Sequence, residues 1–232
     1  MRLWPLLALW PYAAGAEPLT ARYVDPTDAY GHGAVANGEY AGLEVTWQGQ
    51  SHTFQYKDAV FEDTNPRLFD LNGDGTAEVV TVLSGFNDGA RIAIFGVSSN
   101  VIAPIALGAP FGQPNRWYAI AGIADFDGDG AAEIAYVDRP HLAKTLRFLE
   151  VTQADGAWTL TPDGAVEGLT NHHLGSAVIE GGLRDCGQPE VITASADWTR
   201  IIVTSYDGTG YTTRDVGPYT GPDSLTAALA CD

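Results

Sequence analysis

Short runs of alternating apolar and polar residues, separated by Gly, Asp, Asn and Pro, recur along most of the chain. In the middle of the sequence they fall at Tyr118 to Ala124, Glu133 to Val137, Thr145 to Val151 and Trp158 to Thr161. A period of two in runs this short predicts strands, and the breakers between them predict turns. No stretch sustains a helical period over three turns, so the pattern predicts an all-β chain.

The pattern also repeats. Arg67 to Leu83 aligns with Gly122 to Asp138, so that an apolar strand, an acidic loop, a glutamate and a β-branched strand coincide, and Asp125 lies 55 positions after Asp70. A third copy, Gly182 to Ser195, keeps the strands around a loop three residues shorter. Tyr40 to Gln48 and Ser51 to Lys57 add two strand-like runs without an acidic loop, read as a degenerate first copy. A four-stranded unit of about 50 residues cannot bury both faces alone and must stack on neighbours, as a β-propeller blade does. The expected architecture is a small β-propeller of about four four-stranded blades, approximately residues 30–62, 63–112, 113–168 and 169–232. A β-sandwich of this length would leave the recurrence of the acidic loop unexplained.

Composition narrows the class of partner. The chain has 232 residues, 45% hydrophobic and 18% charged, enough for one domain with a sizeable core. Asp and Glu number 29 against 12 Lys and Arg, for a formal net charge of -17. Nucleic acid and anionic membrane surfaces are poor partners for such a field, and cations are better ones. At the N-terminus Arg2, the apolar run Leu3 to Ala13 and Ala14-Gly15-Ala16 form the pattern of a secretory signal peptide cleaved after Ala16. The run is too short to span a bilayer, so no membrane insertion is expected and the product is expected to be secreted or periplasmic.

The acidic loops carry metal chemistry. The first presents Asp70, Asn72, Asp74 and Glu78, and the second Asp125, Asp127, Asp129 and Glu133. Oxygen ligands at alternate positions converge when the turn is tight, and Gly73 and Gly128 permit the positive φ such a turn needs. The carbonyls of Thr76 and Ala131 are candidate further ligands. An all-oxygen, negatively charged set suits Ca²⁺ better than Zn²⁺, which takes His or Cys. About two structural Ca²⁺ ions are therefore expected. An EF-hand is excluded, because its twelfth position falls on Thr81 or Tyr136 inside a β-branched run. Cys186 and Cys231 are the two cysteines, and an exported chain predicts a disulfide between them.

These repeats resemble the FG-GAP or VCBS-type blades of integrin-α-like β-propellers, over roughly residues 65 to 206. The resemblance implies that each acidic loop joins the first two strands of a blade and holds Ca²⁺, at Asp70 to Glu78 and at Asp125 to Glu133. It is partial at Asp185 to Glu190, and the FG-GAP tripeptides themselves are poorly kept.

If the acidic loops lie at one end of the blades, the connections entering each blade lie at the other, where loops on a rigid scaffold concentrate binding residues. Those segments carry Tyr30 and His32, then Asn115, Arg116 and Trp117, then His172 and His173. The loops after the second strands carry Asp138, Arg139 and His141, and Trp198. The candidate ligand face is Trp117, Asp138, Arg139, His141, His172, His173 and Trp198. No H-E-x-x-H, G-x-S-x-G, P-loop or C-x-x-C motif commits the chain to catalysis. The reading is a calcium-binding propeller acting as a non-catalytic module for a glycan or protein ligand, with a small hydrolase or lyase on the same scaffold as the alternative.

Overall fold

Period-two alternation becomes seventeen strands and one short helix in a computed structural model that describes residues 18–231. The segment read as a signal peptide, Met1 to Ala16, lies outside the described residues. The strands form three antiparallel sheets, none of them closed. No helix among the described residues is long and apolar enough to cross a membrane.

The middle sheet is the four-stranded meander expected from the sequence. Its strands are β9 (Tyr118–Ala124), β10 (Ala132–Asp138), β11 (Thr145–Ala154) and β12 (Ala157–Glu167), paired in that order. The unit before it uses β6 (Glu78–Gly85), β7 (Gly89–Ser98) and β8 (Val101–Leu107). Its inner edge is split between β4 (Ala59–Glu62) and β5 (Arg67–Phe69), which pair with opposite ends of β6. The unit after it repeats the device: β13 (Leu169–Thr170) and β14 (Gly182–Asp185) share the edge of β15 (Pro189–Ser195), followed by β16 (Arg200–Tyr206) and β17 (Tyr211–Pro218). A bulge recurs on every outermost strand, leaving Ile105, Asp163 and Val216 without a register partner. Such a bulge adds local twist at the same place in all three units.

The expected first blade is different. Here β1 (Thr20–Pro26) and β3 (Gln50–Gln55) flank β2 (Glu39–Trp47), giving three strands. The run Ala59–Glu62, assigned by the sequence to this unit, serves as the inner edge of the next one, and β2 touches it only through Glu39 and Tyr40. The described residues therefore hold three units of four-stranded width, the first of them continued through the short β2–β4 pairing into β1 to β3, so that it forms one eight-stranded sheet.

Burial follows from the alternation. On β6 and β7, Val80, Val82, Ile92 and Ile94 join a core shared with the middle unit. Val79, Leu83, Ala93 and Phe95 point the other way, onto Leu43, Val45 and Phe61. Every residue of β6 and of β10 is buried, because each strand is covered on both faces. In the third unit, Ile192, Ala194, Ile201 and Val203 pack on Leu225 of α1 (Pro222–Ala228). This helix escaped the sequence reading because seven residues are too few to establish a helical period. Pro222 at its start and Asp223 in its first turn are ordinary start signals. Burying Leu225 contributes about 1.5–3 kcal/mol.

Cys186 and Cys231 form the expected disulfide, with Cα atoms 5.5 Å apart. It ties the residues after α1 to the turn between β14 and β15. The seam between the second and third units is close: a Cβ on Gly164 would stand 2.4 Å from the Tyr211 ring. A further strap joins the segment before β2 to the segment between β13 and β14, where Ala36 N–H donates to Ser176 O over 3.1 Å and Gly175 N–H to Ala34 O over 2.9 Å.

Candidate functional site

Both acidic loops join an inner strand to the second strand of its unit, β5 to β6 and β9 to β10. Gly73 and Gly128 have φ of 71° and 79°, as the tight turn requires. The loops share their hydrogen bonds. Asp70 accepts from Gly75 N–H over 2.8 Å, Asp74 from Thr76 N–H over 2.8 Å and Glu78 from Leu71 N–H over 2.9 Å. Likewise Asp125 accepts from Gly130 N–H over 3.1 Å, Asp129 from Ala131 N–H over 2.8 Å and Glu133 from Phe126 N–H over 2.6 Å.

They differ in convergence. Asp125, Asp127, Asp129 and Glu133 each bring a carboxylate oxygen within 4.8 Å of the others, and no other such group occurs among the described residues. In the first loop Asn72 stands where the second has Asp127. Its amide donates to Asp74 over 3.2 Å and, across the groove between the loops, to Gln153 over 3.0 Å.

Glu133 is fully buried, and while one carboxylate oxygen accepts from Phe126, the other has no hydrogen-bond partner. Burial, reinforced by Asp127, Asp163 and Asp125, pushes its pKa up to about 7. A buried, unpaired carboxylate oxygen is costly. Here it stands among three aspartates that present only hard oxygen donors, so the residues fit a Ca²⁺-like cation and lack the nitrogen or sulfur that Zn²⁺ prefers.

The second feature lies at the far end of β9 and β10, about 20 Å along strands of this length. A cavity of about 320 Å³ is lined by His32, Arg116, Trp117, Arg139 and His141, with Pro140, Leu142 and Leu174 as apolar walls. His141 Nε2 lies 2.9 Å from His172 Nδ1, and His172 Nε2 lies 3.0 Å from the Ser176 carbonyl. A carbonyl only accepts, so His172 Nε2 carries a proton. Burial lowers both pKa values to about 4, so both rings are neutral near pH 7. It follows that His141 donates from Nε2 to His172 Nδ1, and that the lone pair of His141 is on Nδ1.

His32 is fixed as firmly. Its Nδ1 sits 2.6 Å from Glu62, whose other oxygen accepts from Ser84 over 2.6 Å. Burial raises the Glu62 pKa, with His32 and Ser84 opposing. The backbone around His32 is gathered by buried Glu39, which accepts N–H groups from Gly31, His32 and Gly33 over 3.0, 2.8 and 3.1 Å. Trp117 is 1% exposed and donates Nε1–H to the Glu62 carbonyl over 2.6 Å. It is a wall of the cavity more than a free recognition surface.

The expected ligand face thus divides. His141 and His172 meet beside Trp117. Asp138 is buried and clamped by Arg139, over 2.7 and 3.0 Å, and by Arg147 over 3.0 Å. Arg139 in turn lies 4.4 Å above the Phe111 ring. His173 belongs elsewhere, stacked on Trp198 at 3.7 Å and 3.0 Å from Glu180, which also accepts from Tyr219 over 2.8 Å. Sequence reasoning placed His32 and Arg116 on the entering connections without assigning them to the site. It missed Glu62 and Glu39 altogether, and the one trace of Glu62 is a carboxylate ending the otherwise apolar run Ala59-Val60-Phe61.

No family model matches this sequence, and no curated protein matches it.

Proposed function

We propose that this chain is an exported, calcium-stabilised protein of the FG-GAP/VCBS kind, its three four-stranded units being blades of a small propeller, and that it acts as a binding module for a glycan or protein. The observation that carries the reading is the division of labour along β9 and β10. Carboxylates centred on the orphaned Glu133 oxygen stand at one end, and a cavity with two immobilised imidazoles stands at the other. A cation at Asp125, Asp127, Asp129 and Glu133 would neutralise the loop and brace the turn, leaving the loops of the cavity end free of metal ligation. The first loop, with Asn72 in place of an aspartate, is a second and weaker candidate. The disulfide supports export, since such bridges persist in oxidising compartments.

The hydrolase or lyase reading retains one specific support, the Glu62–His32 pair facing the same cavity as neutral His141, because a carboxylate-oriented imidazole is a candidate general base. Calcium-loaded protein screened against immobilised glycans and a secretome separates the two. Binding without turnover, lost in His141→Ala with the melting temperature retained, supports the module. Release of cleaved product, lost in His32→Ala, would replace it with the enzyme. Retention of every ligand by both variants would remove the cavity from either role.

A further inference from the structure

Resting on the cavity as the binding site, we propose that its ligand is an acidic sugar, a single carboxylate-bearing ring or the acidic end of a glycan. The charge argument comes first. Among the described residues every arginine except Arg116 forms an ion pair with a carboxylate. In a chain of net charge -17 an unpaired arginine is an exception, and this one lines the cavity. Its Nη1 donates to the carbonyls of Asn115 over 2.8 Å and Pro114 over 3.4 Å, which steady the side chain without neutralising it. A carboxylate is its natural partner.

The two imidazoles add a different demand. The proton inventory leaves a lone pair on His141 Nδ1, and His32, held at Nδ1 by Glu62, turns its other ring nitrogen, Nε2, to the same cavity. Neither atom has a hydrogen-bond partner among the described residues. His141 asks for a donor, and His32 Nε2 for a hydrogen-bonding group. A simple inorganic anion would satisfy Arg116 and leave His141 unmet, and a divalent cation would satisfy His141 and be repelled by Arg116. A hydroxylated carboxylate satisfies all three, since a hydroxyl both donates and accepts. Pro140, Leu142 and Leu174 complete the fit, with Leu142 and Leu174 being 65% and 69% exposed, as a wall for the C–H face of a ring. The volume of about 320 Å³ is at the small end of ligand cavities, which suits one ring rather than an extended chain.

The test is an NMR titration of calcium-loaded protein with sodium galacturonate, glucose and sodium acetate, each also applied to Arg116→Gln, Arg116→Lys and His141→Ala. Galacturonate is expected to shift the His32 and His141 imidazole signals saturably, with glucose and acetate at least about tenfold weaker, one lost charge-assisted hydrogen bond being worth that much. Arg116→Gln should abolish the preference for galacturonate over glucose, Arg116→Lys should restore part of it, and His141→Ala should weaken binding in protein whose amide spectrum shows it still folded. Galacturonate binding no better than glucose, or indifferent to Arg116→Gln, overturns the inference. If neutral sugars bind with the same dependence on His141, the binding-module reading stands and the acidic-sugar inference falls. If whatever the glycan screen retains ignores every cavity variant, the cavity loses its role as the binding site and the acidic-sugar inference falls with it.

Discussion

Tyr211 donates its hydroxyl to Asp163 over 2.6 Å, and so ties the third unit to the bulged residue of the second. The same ring lies on Phe148 at 3.5 Å with the planes nearly parallel, over the space left by Gly164. Burial raises the carboxyl pKa values of Asp127 and Glu133, and Asp163 faces both closely enough to add to the rise, so one carboxylate of the seam also acts on the acidic loop.

Tyr211→Phe removes only the hydrogen bond and is expected to cost about 1 kcal/mol. Gly164→Ala forces a methyl against the ring and is expected to cost more, about 1–3 kcal/mol. Chemical denaturation midpoints would rank them. A neutral Gly164→Ala would refute the close seam.

Chelation should lower the melting temperature, and calcium should restore it better than magnesium. A ligand at a hundredfold excess over its Kd contributes about 2.7 kcal/mol. Glu133→Gln gives the sharper result. Without calcium the variant should melt above the parent, because a neutral amide that can donate replaces an unpaired carboxylate oxygen among three aspartates, and with calcium below it, because the ion is lost. Curves that never cross would remove Glu133 from the site. Asp129→Ala should abolish more of the calcium response than Asp74→Ala, following the convergence of the second loop.

Reduction of the Cys186–Cys231 bridge should destabilise the third unit first, since its shortened loop offers no alternating carboxylates. With 45 positions between the cysteines, the chain-entropy scale is about 4 kcal/mol. Hydrogen exchange of β14 to β16 before and after reduction reads the effect. Unchanged protection there would show that the bridge fastens only the tail.

The histidine chain makes stability depend on pH with a definite sign. His141 and His172 titrate near 4 in the folded protein, through burial and the nearby His32, His173 and Lys144, against 6.5 ordinarily. The unfolded chain therefore binds protons that the folded one refuses between those values. Their contribution is fully present above about pH 6.5 and is lost as pH falls toward 4. His172→Gln should make that decline shallower when melting temperature is followed against pH. An identical slope would place the proton elsewhere.

Much of this architecture was legible beforehand, and the reason is local. Strands β9 to β12 are bounded by turn residues and alternate cleanly, so their positions could be read directly, as could the acidic loops and the cysteine pair. The first blade was misread because Ala59-Val60-Phe61-Glu62 has the same local pattern whichever sheet it joins, and pairing is decided by neighbours far along the chain. The site failed for a related reason. Its key contacts, His32 with Glu62, Trp117 with Glu62 and His141 with His172, each span 30 or more positions, and no spacing rule reaches across them. Asp138 and Arg139, adjacent in sequence, looked like free recognition groups and are instead spent on each other.

The strap between Val35 and Ser176 sets a schedule for assembly. These residues stand 141 positions apart, so their pairing closes the widest loop among the backbone pairings of the described residues, and contacts of that separation form late. A nascent chain ending before Leu169 already carries His32, Arg116 and His141, but lacks the ring that dictates where the His141 proton resides. The hydrogen-bonded geometry at the cavity is therefore complete only after Ala34 to Ala36 meet a segment made about 140 positions later.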